Sequence, residues 1–220
     1  MRTPSMWAKR FLAKQLARPS GFFGRFVLGR LLNVLNSAHN QLVLEQLAIN
    51  SADRVLEVGF GGGALLERIV QLVPDGSVAG VEISEEMISN ARLRFRAQIG
   101  AGRLELRYGK VELLPYPDSS FDKACSVNTI YFWPDLDVAL REFSRVICPG
   151  GMLVLGFTSN DYLRRFGLDQ LGFLLRSSDE LAVALAAQGF RPGLLQSGLD
   201  MRGAYFAFPA VRSTNDPMQG

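Results

Sequence analysis

One stretch decides the fold: Arg54-Val55-Leu56-Glu57-Val58-Gly59-Phe60-Gly61-Gly62-Gly63-Ala64-Leu65-Leu66. Its first residues form an apolar run typical of a buried strand that is covered on both faces. The glycines that follow permit a sharp turn and let a ligand approach the backbone more closely than any Cβ would allow. Helical spacing resumes at Ala64, so unpaired N–H groups of a helix amino terminus would lie beside that ligand. The stretch predicts a strand, a ligand-binding glycine turn and a helix.

The rest of the chain repeats this alternation of strand and helix. Further strands are predicted at 77–83, 104–108, 123–127 and 152–157, and helices at 41–49, 85–99, 135–146 and 178–188. Strands that alternate with helices form parallel β-α-β units. The last two predicted strands, 190–195 and 204–208, are separated by a polar loop without a helix, so they should pair antiparallel. We therefore expect an α/β fold: a Rossmann-like, seven-stranded sheet, mostly parallel with an antiparallel C-terminal strand, and helices on both faces.

Two acidic residues narrow the choice of ligand. The turn alone also fits the dinucleotide fingerprint G-x-G-x-x-G/A through Gly59, Gly61 and Ala64. Glu57 stands two positions before the first glycine, where it would repel a pyrophosphate but suits a ligand that presents an ammonium. Glu82 ends the second predicted strand, where a carboxylate can accept hydrogen bonds from both ribose hydroxyls. Because any adenosine ligand would satisfy Glu82, Glu57 is the discriminating residue.

Three segments carry recognisable motifs. Residues 57–63 place an acid before G-x-G-x-G, residues 108–122 read Y-G-K-V-E-L-L-P-Y-P-D-S-S-F-D, and residues 145–151 read R-V-I-C-P-G-G. They resemble the first motif, the G-D-A-x-x-L-P-F-P-D-x-S-F-D run and the R-V-L-K-P-G-G segment of small-molecule class I S-adenosylmethionine-dependent methyltransferases, of the methyltransferase domain 11 or 25 type. The matches extend over residues 53–157. They imply S-adenosylmethionine as the cofactor.

The resemblance implies a role for each matching residue. Glu57 would bind the methionine ammonium, Glu82 the ribose hydroxyls, and Asn128 the methionine end. The methionine and ribose would be lined by Gly59, Phe60, Gly61 and Gly63, and the adenine by Ile83, Met87, Lys110 and Val111. The chain departs from the family at Lys110, where an acid usually meets the adenine amino group. Because an ammonium cannot accept that hydrogen bond, we expect the backbone of Val111 to read the adenine and Lys110 to point outward.

The implied reaction is an in-line displacement at the sulfonium methyl group. Alignment and exclusion of water matter more to it than acid–base groups, and aromatic faces would help hold the sulfonium charge. The candidate aromatic residues, which core packing would explain equally, are Phe60, Tyr131, Phe132 and Trp133. The catalytic residue is unknown; candidates for a general base, should one be needed, are Tyr131, His39, Asp161 and Tyr162.

Charge divides the chain into two parts. The formal net charge of the 220 residues is +3, but residues 1–44 hold seven Lys and Arg and no acid, which leaves −4 for the remainder. We expect a basic helical cap at 1–45, a methyltransferase domain at 46–211 and a disordered tail at 212–220. The cap could pack on the core, close over an apolar pocket or rest on an anionic membrane surface, or be a cleaved transit peptide.

Composition narrows the class of protein. A mildly acidic body is poorly suited to nucleic acid, so we expect a small-molecule acceptor, apolar or amphipathic in view of the cap, with peripheral membrane contact through the cap as an option. Two cysteines and one histidine, without metal-site spacing, favour a cytoplasmic protein that binds no metal. No stretch of 18 apolar residues predicts a membrane span. The alternatives are a nucleic-acid or protein methyltransferase that uses the basic arm, a non-catalytic cofactor-binding module, and a nicotinamide-dependent oxidoreductase.

Overall fold

The computed structural model describes residues 36–200 and 203–214. In chain order its elements are α1 Ser37–Leu47, β1 Arg54–Val58, α2 Ala64–Leu72, β2 Ser77–Glu82, α3 Glu85–Arg94, α4 Arg96–Gly100, β3 Leu104–Tyr108, β4 Phe121–Val127, α5 Leu136–Val146, β5 Ile147–Thr158, α6 Asn160–Arg165, α7 Ser178–Ala187, β6 Phe190–Pro192, β7 Gln196–Asp200 and β8 Gly203–Arg212. Most of the predicted cap and tail lie outside the described residues, so the domain boundaries stay predictions.

The sheet is mostly parallel and reverses its strand order next to β1. Its order is β3-β2-β1-β4-β5-β8-β6. The pairs β1–β2, β2–β3, β1–β4 and β4–β5 are parallel, whereas β8 runs antiparallel to β5. The predicted α/β fold with an antiparallel C-terminal strand is confirmed. In such sheets ligands bind outside the carboxyl ends of the strands at the point of reversal, which here lies between β1 and β4.

The strand count departs from the prediction, since the described residues form eight strands and not seven. The predicted strand 190–195 is short and ends at Pro192. The polar run Gln196–Asp200, which we expected to be a loop, forms β7. Both β6 and β7 pair with successive parts of β8, so the sheet still has seven positions across. As an edge strand, β7 has only one neighbour and does not need an apolar face, so its sequence carried no apolar signal.

Helices cover both faces of the sheet, as predicted. Alternate residues of β1 point to opposite faces: Leu56 and Val58 belong to one apolar cluster and Val55 to the other. The first cluster contains the buried faces of α5 and α7, and the second those of α1, α2 and α3. By the same alternation Glu57 projects toward the α1–α3 face.

The helix predicted at 85–99 is interrupted at Phe95, which separates α3 from α4. The Phe95 backbone has φ −101° and ψ 23°, and its side chain is buried. A Cβ added to Gly63 would lie 3.0 Å from the Phe95 ring. The interruption therefore places an aromatic side chain under the glycine turn.

The described residues can also be checked for membrane-spanning helices, disulfide bonds and metal sites. Among the helices of residues 36–200 and 203–214, none has the length and apolar character that a bilayer crossing requires. Cys125 is buried, Cys148 is half-buried, and both are free thiols. In the same ranges no three His, Cys, Asp or Glu side chains come together in a way that could hold a metal ion.

Candidate functional site

The glycine turn between β1 and α2 is closely packed against the loop that follows β4. Gly59, Gly61 and Gly63 have φ of +78°, +48° and +72°, a left-handed region that favours glycine. The Gly59 N–H donates to the Val81 carbonyl at 2.7 Å. A Cβ on Gly59 would lie 2.4 Å from Thr129 Cγ2, so no larger residue fits there without displacing the β4 loop.

Glu57 is a buried acid beside this turn. Its side chain is 3% exposed, and its Oε2 atom has no hydrogen-bond partner among the described residues. Burial, together with the smaller effect of the Glu82 charge, raises the pKa of Glu57 to about 8. A buried carboxylate oxygen without a donor costs free energy, so this position favours a proton or a ligand cation.

Glu82 ends β2 and is held against the glycine turn by backbone donors. Its Oε2 accepts the Gly61 N–H at 2.9 Å. Its Oε1 accepts the N–H groups of Ile83 and Ser84 at 2.8 and 3.0 Å. These hydrogen bonds hold the Glu82 carboxylate beside the glycine turn, at the position where the sequence predicts a ribose.

The predicted adenine residues lie along the next loops. Met87 and Val111 are buried, Ile83 is half-buried and Lys110 is exposed, so the Lys110 side chain points outward as we expected. The Gly109 N–H donates to the Glu82 carbonyl at 3.1 Å, which joins this loop to the ribose position.

Arg145 and Glu142 anchor the loop that follows Val111. The Arg145 guanidinium donates to the carbonyls of Tyr116 and Leu114 at 2.7 and 2.9 Å. Glu142 accepts the Leu114 N–H at 2.7 Å and pairs with Arg145 at 2.7 Å. The Arg145 guanidinium lowers the pKa of Glu142. Sequence analysis named Arg145 only as part of a motif, because its partners lie about thirty positions away.

The structure brings three predicted residues together after β4. The Asn128 Oδ1 accepts hydrogen bonds from the hydroxyls of Tyr131 and Thr158, both at 3.1 Å. Its Nδ2 lies 3.2 Å from Asn36 Oδ1 and 3.4 Å from Nδ1 of the fully buried His39. Sequence reasoning missed Asn36 and Thr158, since no local pattern marks contacts between residues so distant in the chain.

Asp161 lies apart from this group. Its side chain is 94% exposed and its carboxylate is 3.8 Å from Arg164 on the same short helix. Tyr162, the remaining candidate base, is half-buried and its ring packs on Phe166 at 4.7 Å.

The candidate aromatic residues all lie in or against the apolar core. Phe60 is buried in one apolar cluster, Tyr131 and Trp133 are buried in the other, and Phe132 is half-buried against the latter. The rings of Tyr131 and Phe132 meet Phe173, a buried residue in the insert after β5, at distances of 5.8 and 4.7 Å. The carboxyl edge of β4 therefore carries an aromatic cluster, Tyr131–Phe132–Phe173, next to the Asn128 amide.

Comparison with known proteins agrees with this geometry. Residues 56–155 match the methyltransferase domain family. The uncharacterised methyltransferase YdaC of Bacillus subtilis is 31% identical over 125 residues, which cover 57% of this chain and 67% of YdaC. The chain belongs to the class I S-adenosylmethionine-dependent methyltransferases.

Two further proteins are similar to this chain, one in sequence and one in fold. The demethylmenaquinone methyltransferase of Geobacillus kaustophilus is 33% identical over 130 residues, 59% of this chain and 54% of that enzyme, so the chain spans about half its length. The geranyl diphosphate C-methyltransferase of Streptomyces coelicolor A3(2) has the same fold, with a TM-score of 0.69 at 15% identity over 90% of this chain and 86% of that one.

The residues present fit S-adenosylmethionine, the cofactor of this family. Glu57 Oε2, which has no hydrogen-bond partner in the part of the chain that the structure describes, suits an ammonium. The glycine turn leaves the backbone open to close approach. The Asn128 amide is different, because all four of its hydrogen-bonding positions are occupied within the protein. The predicted contact of Asn128 with the methionine end would therefore fall to its backbone.

Proposed function

We propose that the chain transfers a methyl group from S-adenosylmethionine to a small apolar or amphipathic acceptor bound at the carboxyl ends of β4 and β5. The observation that carries this proposal is the Tyr131–Phe132–Phe173 cluster beside the neutral Asn128 amide. The three charged side chains of the neighbouring helix α6, Asp161, Arg164 and Arg165, are exposed. An aromatic wall with neutral polar atoms favours an acceptor that carries little charge.

The chain's contribution is binding and alignment. When bound, the cofactor supplies an electrophilic methyl group on a sulfonium. Glu57 would hold its ammonium and Glu82 its ribose hydroxyls, while the aromatic cluster excludes water from the edge of β4. The Tyr131 hydroxyl accepts the Thr158 N–H and donates to Asn128, so it is engaged on both sides. We therefore propose in-line transfer that depends on alignment and does not use Tyr131 as a base.

Two other observations support a small-molecule acceptor. The chain beyond residue 44 carries a net charge of −4, which opposes binding of a polyanion across its surface. One relative is named for a small molecule, demethylmenaquinone.

A partition assay tests the acceptor class. The protein is incubated with S-adenosylmethionine labelled on the methyl group and a cell extract, and the products are divided into organic-soluble and acid-insoluble fractions. We expect enzyme-dependent label in the organic phase. Label in nuclease- or protease-sensitive acid-insoluble material would contradict the proposal and favour the nucleic-acid or protein alternative. Cofactor binding without transfer to any fraction would favour a non-catalytic module.

We also propose that residues 1–35 contribute to the acceptor site. This segment supplies seven Lys and Arg and joins the described structure at Asn36, whose side chain contacts Asn128. Deleting residues 1–35 should reduce methyl transfer while S-adenosylhomocysteine still binds. Unchanged transfer to the acceptor found by partition would refute this role.

A further inference from the structure

A polar contact joins α1 to the loop after β4 inside the apolar core. His39 of α1 is fully buried. Its Nε2 lies 2.8 Å from the carbonyl oxygen of Phe206 on β8, and its Nδ1 lies 3.4 Å from Asn128 Nδ2. The helix approaches the sheet closely here, since a Cβ on Gly156 would lie 2.9 Å from His39 Nε2. One imidazole ring thus bridges β8 and the β4 loop.

The chemistry of the partners fixes the direction of each hydrogen bond. A carbonyl oxygen only accepts, so His39 Nε2 carries the proton and donates to Phe206. The unprotonated Nδ1 then accepts, which requires the Nδ2 side of the Asn128 amide to face it. Oδ1 of Asn128 is thereby turned toward Tyr131 and Thr158, whose hydroxyls donate to it. The tautomer of His39 and the hydroxyls of Tyr131 and Thr158 therefore favour the same orientation of the Asn128 amide.

The position of Asn128 matters to the glycine turn. Its backbone is left-handed, with φ +57°, a conformation that asparagine and glycine tolerate best. The next residue, Thr129, is the one that a Cβ on Gly59 would strike. Ser126, two residues earlier, donates its hydroxyl to the Val58 carbonyl at 2.6 Å. The end of β4, through Ser126, and the loop after it, through Thr129, therefore contact the two residues of the Val58–Gly59 peptide.

We propose that His39 is a positioning residue for the cofactor site. By accepting a hydrogen bond from Asn128, it holds the β4 loop in the left-handed conformation that seats Thr129 against Gly59. His39 touches neither cofactor nor acceptor in this role and exchanges no proton. The proposal rests on the cofactor site alone and stands whatever the methyl acceptor is.

Two substitutions separate this role from simple packing. In His39→Asn the shorter side chain places an acceptor oxygen near the former Nδ1, so the contact with Asn128 is kept and that with Phe206 is lost. In His39→Gln the longer side chain places an amide donor near the former Nε2, so the contact with Phe206 is kept and that with Asn128 is lost. If His39 positions the β4 loop, only the glutamine variant loses the hydrogen bond with Asn128 that holds Thr129 against Gly59.

Calorimetric titration with S-adenosylhomocysteine measures the difference. We expect the Kd of His39→Gln to rise about fivefold, the size of one lost hydrogen bond, and that of His39→Asn to stay within about twofold of the native value. Val43→Ala, a buried truncation on the same helix, should lower the melting temperature and leave the Kd unchanged. Equal losses in both His39 variants, a larger loss in His39→Asn, or no loss in either would overturn the proposal.

Asn128→Gly keeps the proposal testable if either His39 variant is too unstable to titrate, because an unchanged Kd in that variant would by itself overturn the proposal. Where His39→Gln can be titrated, a double-substitution cycle adds a second test. Asn128→Gly retains access to the left-handed conformation but removes the amide. We expect its Kd to rise by at least as much as that of His39→Gln, and the combination to show no additional loss. Additive effects of the two substitutions on Kd would show that His39 does not act through Asn128.

Discussion

Cofactor binding should release a proton from Glu57. Without a ligand this carboxyl is 3% exposed, its Oε2 has no partner among the described residues, and burial together with the charge of Glu82 raises its pKa to about 8. It is therefore mostly protonated at neutral pH. A bound ammonium favours the carboxylate, so binding and deprotonation are linked.

The size of the effect follows from the pKa of about 8. At pH 7 about 0.9 of the Glu57 population carries a proton, so binding should release about 0.9 proton. Between pH 6 and pH 7 the ionised fraction rises about ninefold, and the Kd for S-adenosylhomocysteine should fall by the same factor. The same shift in the pKa of Glu57 also makes the stability of the unliganded protein depend on pH.

Rising pH strengthens cofactor binding through Glu57 but lowers the stability of the unliganded protein. A group whose pKa is higher in the folded state, here about 8 against 4.5, binds its proton more tightly when folded. The unliganded protein should therefore be most stable below pH 4.5 as far as Glu57 is concerned, and lose up to about 1.4 kcal/mol per pH unit as the pH rises toward 8. Bound S-adenosylhomocysteine should remove that slope, because the ammonium then stabilises the ionised form.

Titration calorimetry at pH 7 in phosphate and in Tris, which differ widely in ionisation enthalpy, counts the protons directly. Glu57→Gln should bind about ten- to a hundredfold more weakly, as expected for a lost charged hydrogen bond, and release no proton. Glu45→Gln makes the same change of charge on an exposed position of α1 and should behave as the native protein. A native proton count near zero, or an equal pH slope in Glu57→Gln, would refute the reasoning.

Three other variants test the rest of the site. Gly59→Ala should weaken S-adenosylhomocysteine binding at least tenfold, because its Cβ would strike Thr129, whereas Gly100→Ala, with open space around it, should not; equal Kd values would contradict this. Glu82→Ala should cost about 1.5–3 kcal/mol of cofactor binding by calorimetry, and an unchanged affinity would remove it from the ribose position. Arg145→Ala should lower the free energy of unfolding by about 2 kcal/mol in urea, since two carbonyls lose their donor; an unaltered urea midpoint would show that the loop needs no anchor.

Local patterns predicted the parts of the fold that depend on neighbours in sequence. The strand, turn and helix around Gly59 were correct because apolar runs and left-handed glycines are properties of short segments. The interruption at Phe95 was missed, since helical spacing continues through it and only the tertiary contact with Gly63 reveals the break. Strand β7 was missed for a similar reason, because it exists only as a partner of β8.

The same division applies to the site. Glu57 and Glu82 were predicted as site residues from their positions at the ends of strands near the glycine turn, and the structure places the Glu82 carboxylate against that turn. His39 was named as a candidate base, and Tyr131 as a candidate base and as a candidate aromatic residue near the sulfonium. The structure shows both bonded to neighbouring groups through contacts that span up to 167 positions of the chain. Spacing cannot show which atoms of a histidine or tyrosine are already engaged, and this engagement decides whether such a side chain can take a proton.

Glu57 connects stability to function in this protein. A buried carboxyl whose Oε2 has no partner among the described residues destabilises the fold at neutral pH, and an apolar residue would remove that penalty. Its presence is physically reasonable only if another group compensates for the charge. Glu82 cannot, because it carries the same sign, and its charge raises the Glu57 pKa further. In the unliganded protein a proton neutralises the carboxyl at neutral pH. We expect the ammonium of S-adenosylmethionine to take the place of that proton when the cofactor binds. Cofactor binding should therefore stabilise the fold most at the pH values where the unliganded carboxyl would otherwise be ionised.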